Sequence, residues 1–241
     1  MKEAEFDKFS SRYDEIHRAS LGIAGDRKEY FALQKAESLA SLLASLPARP
    51  AGWPERVLEF GCGVGNNLPH LTRLFPGADV FGCDVSAASL EEAAKVAPGV
   101  QLGHVREPGE LPLLDPSGFD LILAANVFHH IAVSHRPAWM SGIFAALAPG
   151  GVLAVFEHNP LNPMTRHMVG QCPFDEGAVL LRASEAASLA RGAGLEPLRL
   201  AYTFPFPFLP ALARLAGRFL SRTPLGFQYC LLAGRPLEEH A

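Results

Sequence analysis

The sequence predicts an α/β fold in which a doubly wound parallel sheet is covered by helices on both faces. Three observations predict this class. Strand-like and helix-like segments alternate along the chain and are joined by short connections. A glycine-rich turn follows the first predicted strand directly. Polar residues recur at the carboxyl ends of several predicted strands, which is where open α/β sheets bind their ligands.

The composition is compatible with such a fold and excludes several others. A length of 241 residues fits one large domain or a domain with a small cap. Hydrophobic residues make up 49% and charged residues 19%, which favours a substantial core and argues against disorder. A formal charge of −4 gives no electrostatic reason to expect a nucleic acid as partner.

The chain is expected to be cytoplasmic, because its charged N-terminus lacks a signal-peptide core and no stretch reaches the roughly 18 apolar residues of a spanning helix. A monomer or a homodimer that acts on a small molecule is the corresponding expectation.

Apolar patterns assign seven strands and seven helices. The strands are predicted at 56–60, 79–83, 100–104, 119–125, 151–157, 195–203 and 226–234. The helices are predicted at 4–18, 27–46, 66–75, 86–97, 134–147, 183–193 and near 209–221. Ser86 and Ser134 are suitable N-caps, and Pro98-Gly99 and Pro149 end the helices that these two residues begin.

A proline-rich segment at 159–181 is longer than a typical connection between a strand and a helix. It is predicted to be an irregular insert that faces the substrate, with structural padding as the alternative. The resulting division is an N-terminal helical lid at 1–50 and a catalytic domain at 51–241 that contains this insert.

The glycine turn has the form G-x-G-x-G, with Gly61, Gly63 and Gly65. A dinucleotide-binding turn would instead read G-x-G-x-x-G, and Asn66 stands at the place of its last glycine. The acid Glu59 precedes the turn; it would repel a pyrophosphate and could accept hydrogen bonds from an ammonium group. This pattern favours a cofactor that carries an amino acid portion.

A second acid, Asp84, ends the next predicted strand. An acid at this distance from the glycine turn suits the two hydroxyls of a ribose. A helix-capping acid is the alternative interpretation of Asp84. The two acids together indicate a site for an adenosine-containing cofactor.

The E-x-G-x-G-x-G arrangement resembles the class I S-adenosylmethionine-dependent methyltransferases. Three further collinear segments are similar to that family: the second strand end at 83–86, the fourth strand and its loop at 119–131, and the turn into the fifth strand at 147–153. The resemblance covers about residues 30 to 157. It implies a Rossmann-like seven-stranded sheet with an antiparallel last strand, and S-adenosyl-L-methionine as the cofactor.

The resemblance also implies which residues hold the cofactor. Glu59 would organise the turn and the amino end of the cofactor, and Tyr13 would close over it from an N-terminal lid. Glu107 lies at the expected adenine contact, although Arg106-Glu107-Pro108 replaces the family's common Gly-Asp-Ala, so a solvated loop charge is the alternative. The full expected set is Tyr13, Glu59, Gly61, Cys62, Gly63, Asn66, Asp84, Val85, Glu107, Asn126 and Phe128. For Phe128, packing against the preceding helix is the alternative.

Methyl transfer requires a base only when the acceptor is protonated at neutral pH. His129 and His158 lie on the two loops nearest the expected methyl position and are the base candidates, with a structural role bonded to backbone carbonyls as the alternative for each. Arg166 and His167 of the insert are the candidate substrate contacts, since an arginine can clasp a phosphate or a carboxylate. The expected acceptor is an oxygen or nitrogen of a small metabolite, a sugar or a lipid-linked intermediate.

Two other functions fit parts of the pattern. One is an NAD(P)-dependent oxidoreductase, and the other is a non-catalytic cofactor-binding module that acts through a partner. The four cysteines show no metal-binding spacing, so no metal site is predicted. The basic amphipathic stretch at 209–222 indicates either a helix that covers the sheet or a peripheral membrane contact.

Overall fold

A computed structural model describes residues 28–203 and 223–237. The described residues contain seven strands: β1 (Arg56–Phe60), β2 (Asp79–Asp84), β3 (Gln101–His104), β4 (Phe119–Ala125), β5 (Leu147–His158), β6 (Glu196–Thr203) and β7 (Gln228–Gly234). They also contain six α-helices: α1 (Lys28–Ala44), α2 (Leu68–Leu74), α3 (Ala87–Val96), α4 (Arg136–Ala146), α5 (Pro163–Gln171) and α6 (Ala183–Gly192).

The seven strands form one sheet in the order β3-β2-β1-β4-β5-β7-β6. Strands β1 to β5 pair in parallel with one another, and β7 is antiparallel to both β5 and β6. The order reverses at β1, where the chain crosses from one half of the sheet to the other. This arrangement confirms the predicted doubly wound sheet with an antiparallel last strand.

Apolar side chains cover both faces of the sheet, because successive residues of a strand point to opposite sides. On β1, Leu58 and Phe60 belong to one buried cluster and Val57 to the other. The first cluster packs against α4 and α6, and the second packs against α1, α2 and α3. Burial on both faces explains why the central strands are almost continuously apolar.

The turn after β1 has the geometry that its glycines predict. Gly61 has a φ of 70°, a conformation that L side chains rarely adopt, and a Cβ added there would lie 2.6 Å from a methyl carbon of Val127. The N–H groups of Gly61 and Cys62 both donate to the carbonyl of Cys83 at the end of β2. The turn is therefore fixed against both neighbouring strands.

The cap predictions are met at one helix and not at the other. The side chain of Ser86 accepts a hydrogen bond from the N–H of Ser89 and begins α3 as expected. Ser134 does not begin α4: it lies in a short 3-10 helix (Val133–His135), and α4 starts at Arg136. Proline at the second residue of α4 fits this later start, because the first turn needs no N–H donor from it.

The insert at 159–181 is not irregular, contrary to the prediction. It contains α5, whose N-cap Asn162 accepts hydrogen bonds from the N–H groups of Met164 and Thr165. Asn162 followed by Pro163 is a helix-start signal, so the prolines of this segment begin a helix here instead of preventing one.

The first described helix packs into the domain. Leu39 of α1 is 1% exposed and joins the same buried cluster as Val57 and Phe156. Part of the predicted lid at 1–50 is therefore a layer of the folded domain. The predicted helices at 4–18 and 209–221, with Tyr13, lie outside the described residues. No helix among the described residues has the length and apolarity needed to cross a membrane.

Candidate functional site

The site lies at the carboxyl edge of the sheet, where four neighbouring strands each end in a polar residue or lead into one. Glu59 is near the end of β1, Asp84 ends β2, Asn126 follows β4, and Glu157 and His158 end β5. Because these strands are adjacent and parallel, their polar ends are brought to one edge. The sequence prediction of this convergence is met.

Glu59 is a buried carboxylate, and one of its two oxygens has no hydrogen-bond donor among the described residues. Its Oε1 accepts a hydrogen bond of 2.6 Å from the side-chain amide of Asn67. Its Oε2 is buried and accepts no hydrogen bond from any described residue. Burial raises the pKa of Glu59 to about 7, against the lowering effects of the Asn67 hydrogen bond and the charge of Lys35. A buried acceptor without a donor is costly, so this atom has the properties of a binding point for a cation or an N–H group.

Asp84 ties the glycine turn to the second strand. One of its carboxylate oxygens accepts from the N–H of Gly63 at 2.8 Å, and the other accepts from the N–H of Ser86 at 2.9 Å. Burial raises the pKa of Asp84, although these backbone hydrogen bonds oppose the effect. Each oxygen keeps a second lone pair, so the capping geometry leaves the carboxylate able to accept further hydrogen bonds.

Of the three glycines in the turn, Gly63 leaves the backbone open. A Cβ on Gly63, whose φ is 53°, would meet nothing within 4 Å. Asn66 follows in a half-buried turn before α2. The turn therefore places exposed backbone beside a buried carboxylate oxygen that lacks a donor among the described residues, and an ammonium group is one donor that such an atom can accept.

Three of the expected cofactor contacts are core residues. Cys62 and Val85 are 6% and 5% exposed and belong to the two apolar clusters. Phe128 is fully buried, and its ring lies 6.2 Å from that of Phe60 between centroids. The 3-10 turn at 128–130 directs Phe128 into the core, which corrects the expectation that its side chain lines the pocket.

The remaining expected contacts lie at the surface or at the sheet edge. Glu107 is exposed and is the N-cap residue of the short 3-10 helix at 108–113. Asn126 has a φ of 60° and accepts a hydrogen bond of 3.1 Å from the side-chain amide of Gln228. Its left-handed backbone marks the loop after β4 as a strained point at the site.

His129 is held between two carboxylates. Its Nδ1 donates to Oε2 of Glu157 at 2.5 Å, and its Nε2 lies 3.3 Å from Oδ1 of Asp175. Burial lowers the pKa of His129, but the charges and hydrogen bonds of Glu157 and Asp175 outweigh burial and raise the pKa to about 9. Glu157 is itself fixed, since its Oε1 accepts from the N–H groups of Val127 and Phe128.

This geometry corrects the prediction that His129 is a general base. Both ring nitrogens are engaged, the side chain is almost fully buried, and the raised pKa keeps the ring protonated at neutral pH. A protonated imidazole cannot accept the proton of a substrate. With one nitrogen on Glu157 and the other facing Asp175, His129 links the end of β5 to the insert.

His158 and His130 have the opposite character. Burial and the neighbouring charge of His129 lower the pKa of both to about 4. The ring of His158 lies 5.2 Å from that of His129 between centroids. His158 is therefore unprotonated at pH 7 and can in principle accept a proton. Because its pKa is so low, however, it is a weak general base.

The insert is anchored to the site at several points. Val179 donates its N–H to the carbonyl of His129, and the guanidinium of Arg136 donates to the carbonyls of Ile131 and Val179. The amide of Asn159 donates to the carbonyls of Pro224 and Gly226. The insert therefore packs back on the strand ends. Arg166 and His167 are exposed on α5.

Three site residues were not assigned a role from the sequence. Glu157 and Asp175 hold His129. The third residue is Lys35 of α1. Burial lowers the pKa of Lys35, and the negative charges of Glu59 and Glu157 partly offset this effect. Glu157 follows the apolar residues of β5, and a charged residue in such a position indicates a buried, paired side chain. Asp175 and Lys35 carried no such signal, because each reaches the site from a distant segment.

Comparison with known proteins supports this reading of the strand ends. Residues 58–153 match the family model described as a methyltransferase domain. The trans-aconitate 2-methyltransferase of Methylobacterium nodulans is 32% identical over 149 residues, which are 60% of this chain and 54% of that protein. The enzyme of the same name from Rhodopseudomonas palustris is 33% identical over 153 residues, with 63% and 57% covered. The chain thus spans about half the length of the curated relatives that it matches.

Solved structures show the same fold at low sequence identity. A SAM-dependent methyltransferase from Archaeoglobus fulgidus has a TM-score of 0.62 at 12% identity, covering 84% of this chain and 94% of its own. The magnesium protoporphyrin IX methyltransferase of Synechocystis PCC 6803, with SAH bound, has a TM-score of 0.61 at 17% identity and covers 95% and 96%. Residues 58–153 thus match a methyltransferase domain, and the sheet has the fold of solved SAM-dependent methyltransferases, in agreement with the resemblance carried by the glycine turn and the strand ends.

Proposed function

We propose that this protein transfers the methyl group of S-adenosylmethionine to a carboxylate oxygen of a small organic acid. The observation that carries the cofactor assignment is the buried Oε2 of Glu59, which accepts no hydrogen bond from any described residue and stands beside an open glycine turn. A dinucleotide offers no ammonium group for this atom and would bring its pyrophosphate toward a carboxylate. The oxidoreductase alternative is therefore disfavoured.

The chain's residues divide the binding of the cofactor between them. Glu59 receives the ammonium group, the backbone of Gly61 and Gly63 lies against the amino acid portion, and Asp84 receives the ribose hydroxyls. Asn66 and Asn126 supply further polar contacts along the edge, with Glu107 proposed near the adenine. The cofactor supplies an electrophilic methyl carbon, so the work left to the protein is alignment and the exclusion of water.

The protonation states of His129 and His158 indicate which chemical class of methyl acceptor the site suits. A hydroxyl or an ammonium group must lose a proton before it can attack, but a carboxylate is already ionised at neutral pH. His129 is protonated between two carboxylates, and His158 is a weak base, so neither is suited to deprotonate a hydroxyl. The relatives' name, trans-aconitate 2-methyltransferase, belongs to enzymes of a tricarboxylic acid and agrees with an acidic acceptor.

Cations near the edge could bind such an acceptor. Lys35 borders a small cavity with Phe156 and Gln228, and Arg166 and His167 are presented on α5 of the insert. We propose Lys35 and Arg166 as the groups that pair with the acceptor's carboxylates. A lid that includes Tyr13, a cytoplasmic location and a monomeric or homodimeric state remain predictions.

Two measurements test the proposal. Calorimetric titration is expected to show binding of S-adenosylhomocysteine and none of NADH. Incubation with methyl-labelled S-adenosylmethionine and a panel of dicarboxylic and tricarboxylic acids should then label at least one acid as an ester that alkali hydrolyses. Cofactor binding without a labelled acid would favour the non-catalytic module instead, and an alkali-stable methyl product would contradict the carboxylate assignment.

A further inference from the structure

The loop after β4 and the end of the insert bring together three groups that commonly bind metal ions. They are the Nε2 atoms of His129 and His130 and the Oδ1 atom of Asp175. One potential ligand atom from each of these three residues lies within 4.8 Å of the other two. No sequence pattern predicts this cluster, because Asp175 is 46 residues from His129 and approaches it only through the fold of the insert.

The spacing of these atoms fits ligands around one ion better than a set of ion pairs. Oδ1 of Asp175 is 3.3 Å from Nε2 of His129 and 3.4 Å from Nε2 of His130. Charge-assisted hydrogen bonds are shorter, at about 2.7–2.9 Å. Two ligands that are each about 2.1 Å from a tetrahedral ion are about 3.4 Å apart. Asp175 is therefore placed to share an ion with both rings.

The surroundings of His129 match those of a metal ligand. Its other nitrogen, Nδ1, donates to Glu157, and metal-ligating histidines usually donate their second N–H to a carboxylate in this way. Glu157 is in turn fixed by the N–H groups of Val127 and Phe128. The ring is thus held in one orientation with Nε2 directed at the cluster.

We propose that His129, His130 and Asp175 form a binding site for a divalent transition-metal ion such as Zn²⁺ or Co²⁺. Two imidazoles and one carboxylate suit this class of ion, and the incomplete ligand set leaves positions open for water or another oxygen ligand. Binding replaces a proton on Nε2 of His129 by the ion, and the proton is released to solvent. The ion's two charges then balance the carboxylates of Glu157 and Asp175.

This site lies on the loop after β4, beside the end of β5, where the acceptor is proposed to bind. An open coordination position would give a carboxylate acceptor a cationic partner; this last role rests on the proposed function, whereas binding of the ion does not.

The test is calorimetric titration of ZnCl₂ into the full chain, without an affinity tag and after dialysis against a chelator. Visible absorption with CoCl₂ reports on the same site. The expected result is one ion per chain for the wild type, and at least about tenfold weaker binding for His130→Ala and Asp175→Asn. His135→Ala, which removes an exposed histidine of the neighbouring 3-10 helix, is the matched control and should bind like the wild type.

The proposal is overturned if the wild type binds Zn²⁺ no more tightly than His130→Ala does, or if Asp175→Asn binds as tightly as the wild type. Thermal unfolding with and without Zn²⁺ gives a second measure, because only a folded site raises the melting temperature on adding the ion. Titration of S-adenosylhomocysteine on the same samples separates the two proposals: its binding tests the cofactor site, whatever the metal result.

Discussion

Replacing Glu59 by glutamine removes one charge from the site and leaves the shape of the side chain almost unchanged. The ammonium group of the cofactor would lose a charge-assisted hydrogen bond to a buried acceptor, which is worth about 1.5–3 kcal/mol. We therefore expect Glu59→Gln to weaken the binding of S-adenosylhomocysteine by about 10- to 150-fold. Calorimetric titration at pH 8 measures the effect.

The same substitution should stabilise the protein without ligand. The pKa of Glu59 is about 7 in the fold, against 4.5 for an exposed carboxyl, so the fold favours the protonated form. Stability from this group is complete below pH 4.5 and is lost as the pH rises through 7. Above pH 7 the ionised group costs the fold about 3 kcal/mol, as an upper bound. Glu59→Gln should therefore raise the melting temperature at pH 8 and have little effect at pH 4.5.

Affinity should also depend on pH in the wild type. With a pKa of about 7, about one-tenth of Glu59 is ionised at pH 6 and about nine-tenths at pH 8, so affinity should rise about tenfold between them. Lys35, Asp84 and Asn67 also act on Glu59, and the ligand's own amine titrates near this range. The ratio of wild-type to Glu59→Gln affinity cancels the ligand's contribution. A ratio that does not change with pH, or equal affinities at pH 8, would refute the role of Glu59.

Three other substitutions test the turn, the ribose contact and the absence of a base. Gly61→Ala places a Cβ at positive φ against Val127 and should lower the free energy of unfolding in urea by about 1–3 kcal/mol, whereas Gly170→Ala on α5, with open space at its Cβ, should not. Asp84→Ala leaves the N–H groups of Gly63 and Ser86 without their acceptor. Calorimetric titration should show S-adenosylhomocysteine binding weakened by about tenfold or more, and an unchanged affinity would contradict the ribose contact. His158→Ala should keep kcat for a carboxylic acid within about threefold, and a loss of about 10²-fold or more would restore the general-base assignment.

The sequence predicted the cofactor end of the site better than the acceptor end, and the reason is the distance along the chain. Glu59 and the glycine turn are contiguous, and Asp84 is one strand away, so strand order alone brings them together. Their predicted positions agree with the structure, although the hydrogen bond that Asp84 accepts from the N–H of Gly63 in the turn was not predicted.

The side chains beyond the strand ends could not be placed in the same way. Alternation assigns faces only while the backbone stays extended, and the 3-10 turn after β4 breaks it. Phe128 consequently lies in the core, while His129 meets Glu157 and Asp175. The pairing of His129 with Asp175 depends on how α5 returns the insert to the sheet, which no local pattern encodes.

Two buried carboxylates show how the two ends of the site differ. Glu157 has its charge balanced within the protein, because His129 supplies a cation and two backbone N–H groups supply donors, so its pKa is lowered despite burial. Glu59 has only Asn67 as a hydrogen-bond donor among the described residues, and its pKa is raised. The carboxylate on β5 thus has its donors and its cation within the protein, whereas the carboxylate on β1 lacks a donor for one oxygen among the described residues. A buried charge with few partners destabilises the fold. In the proposed function a cationic ligand supplies the donor that Glu59 lacks, so ligand binding and stability would be coupled at this residue.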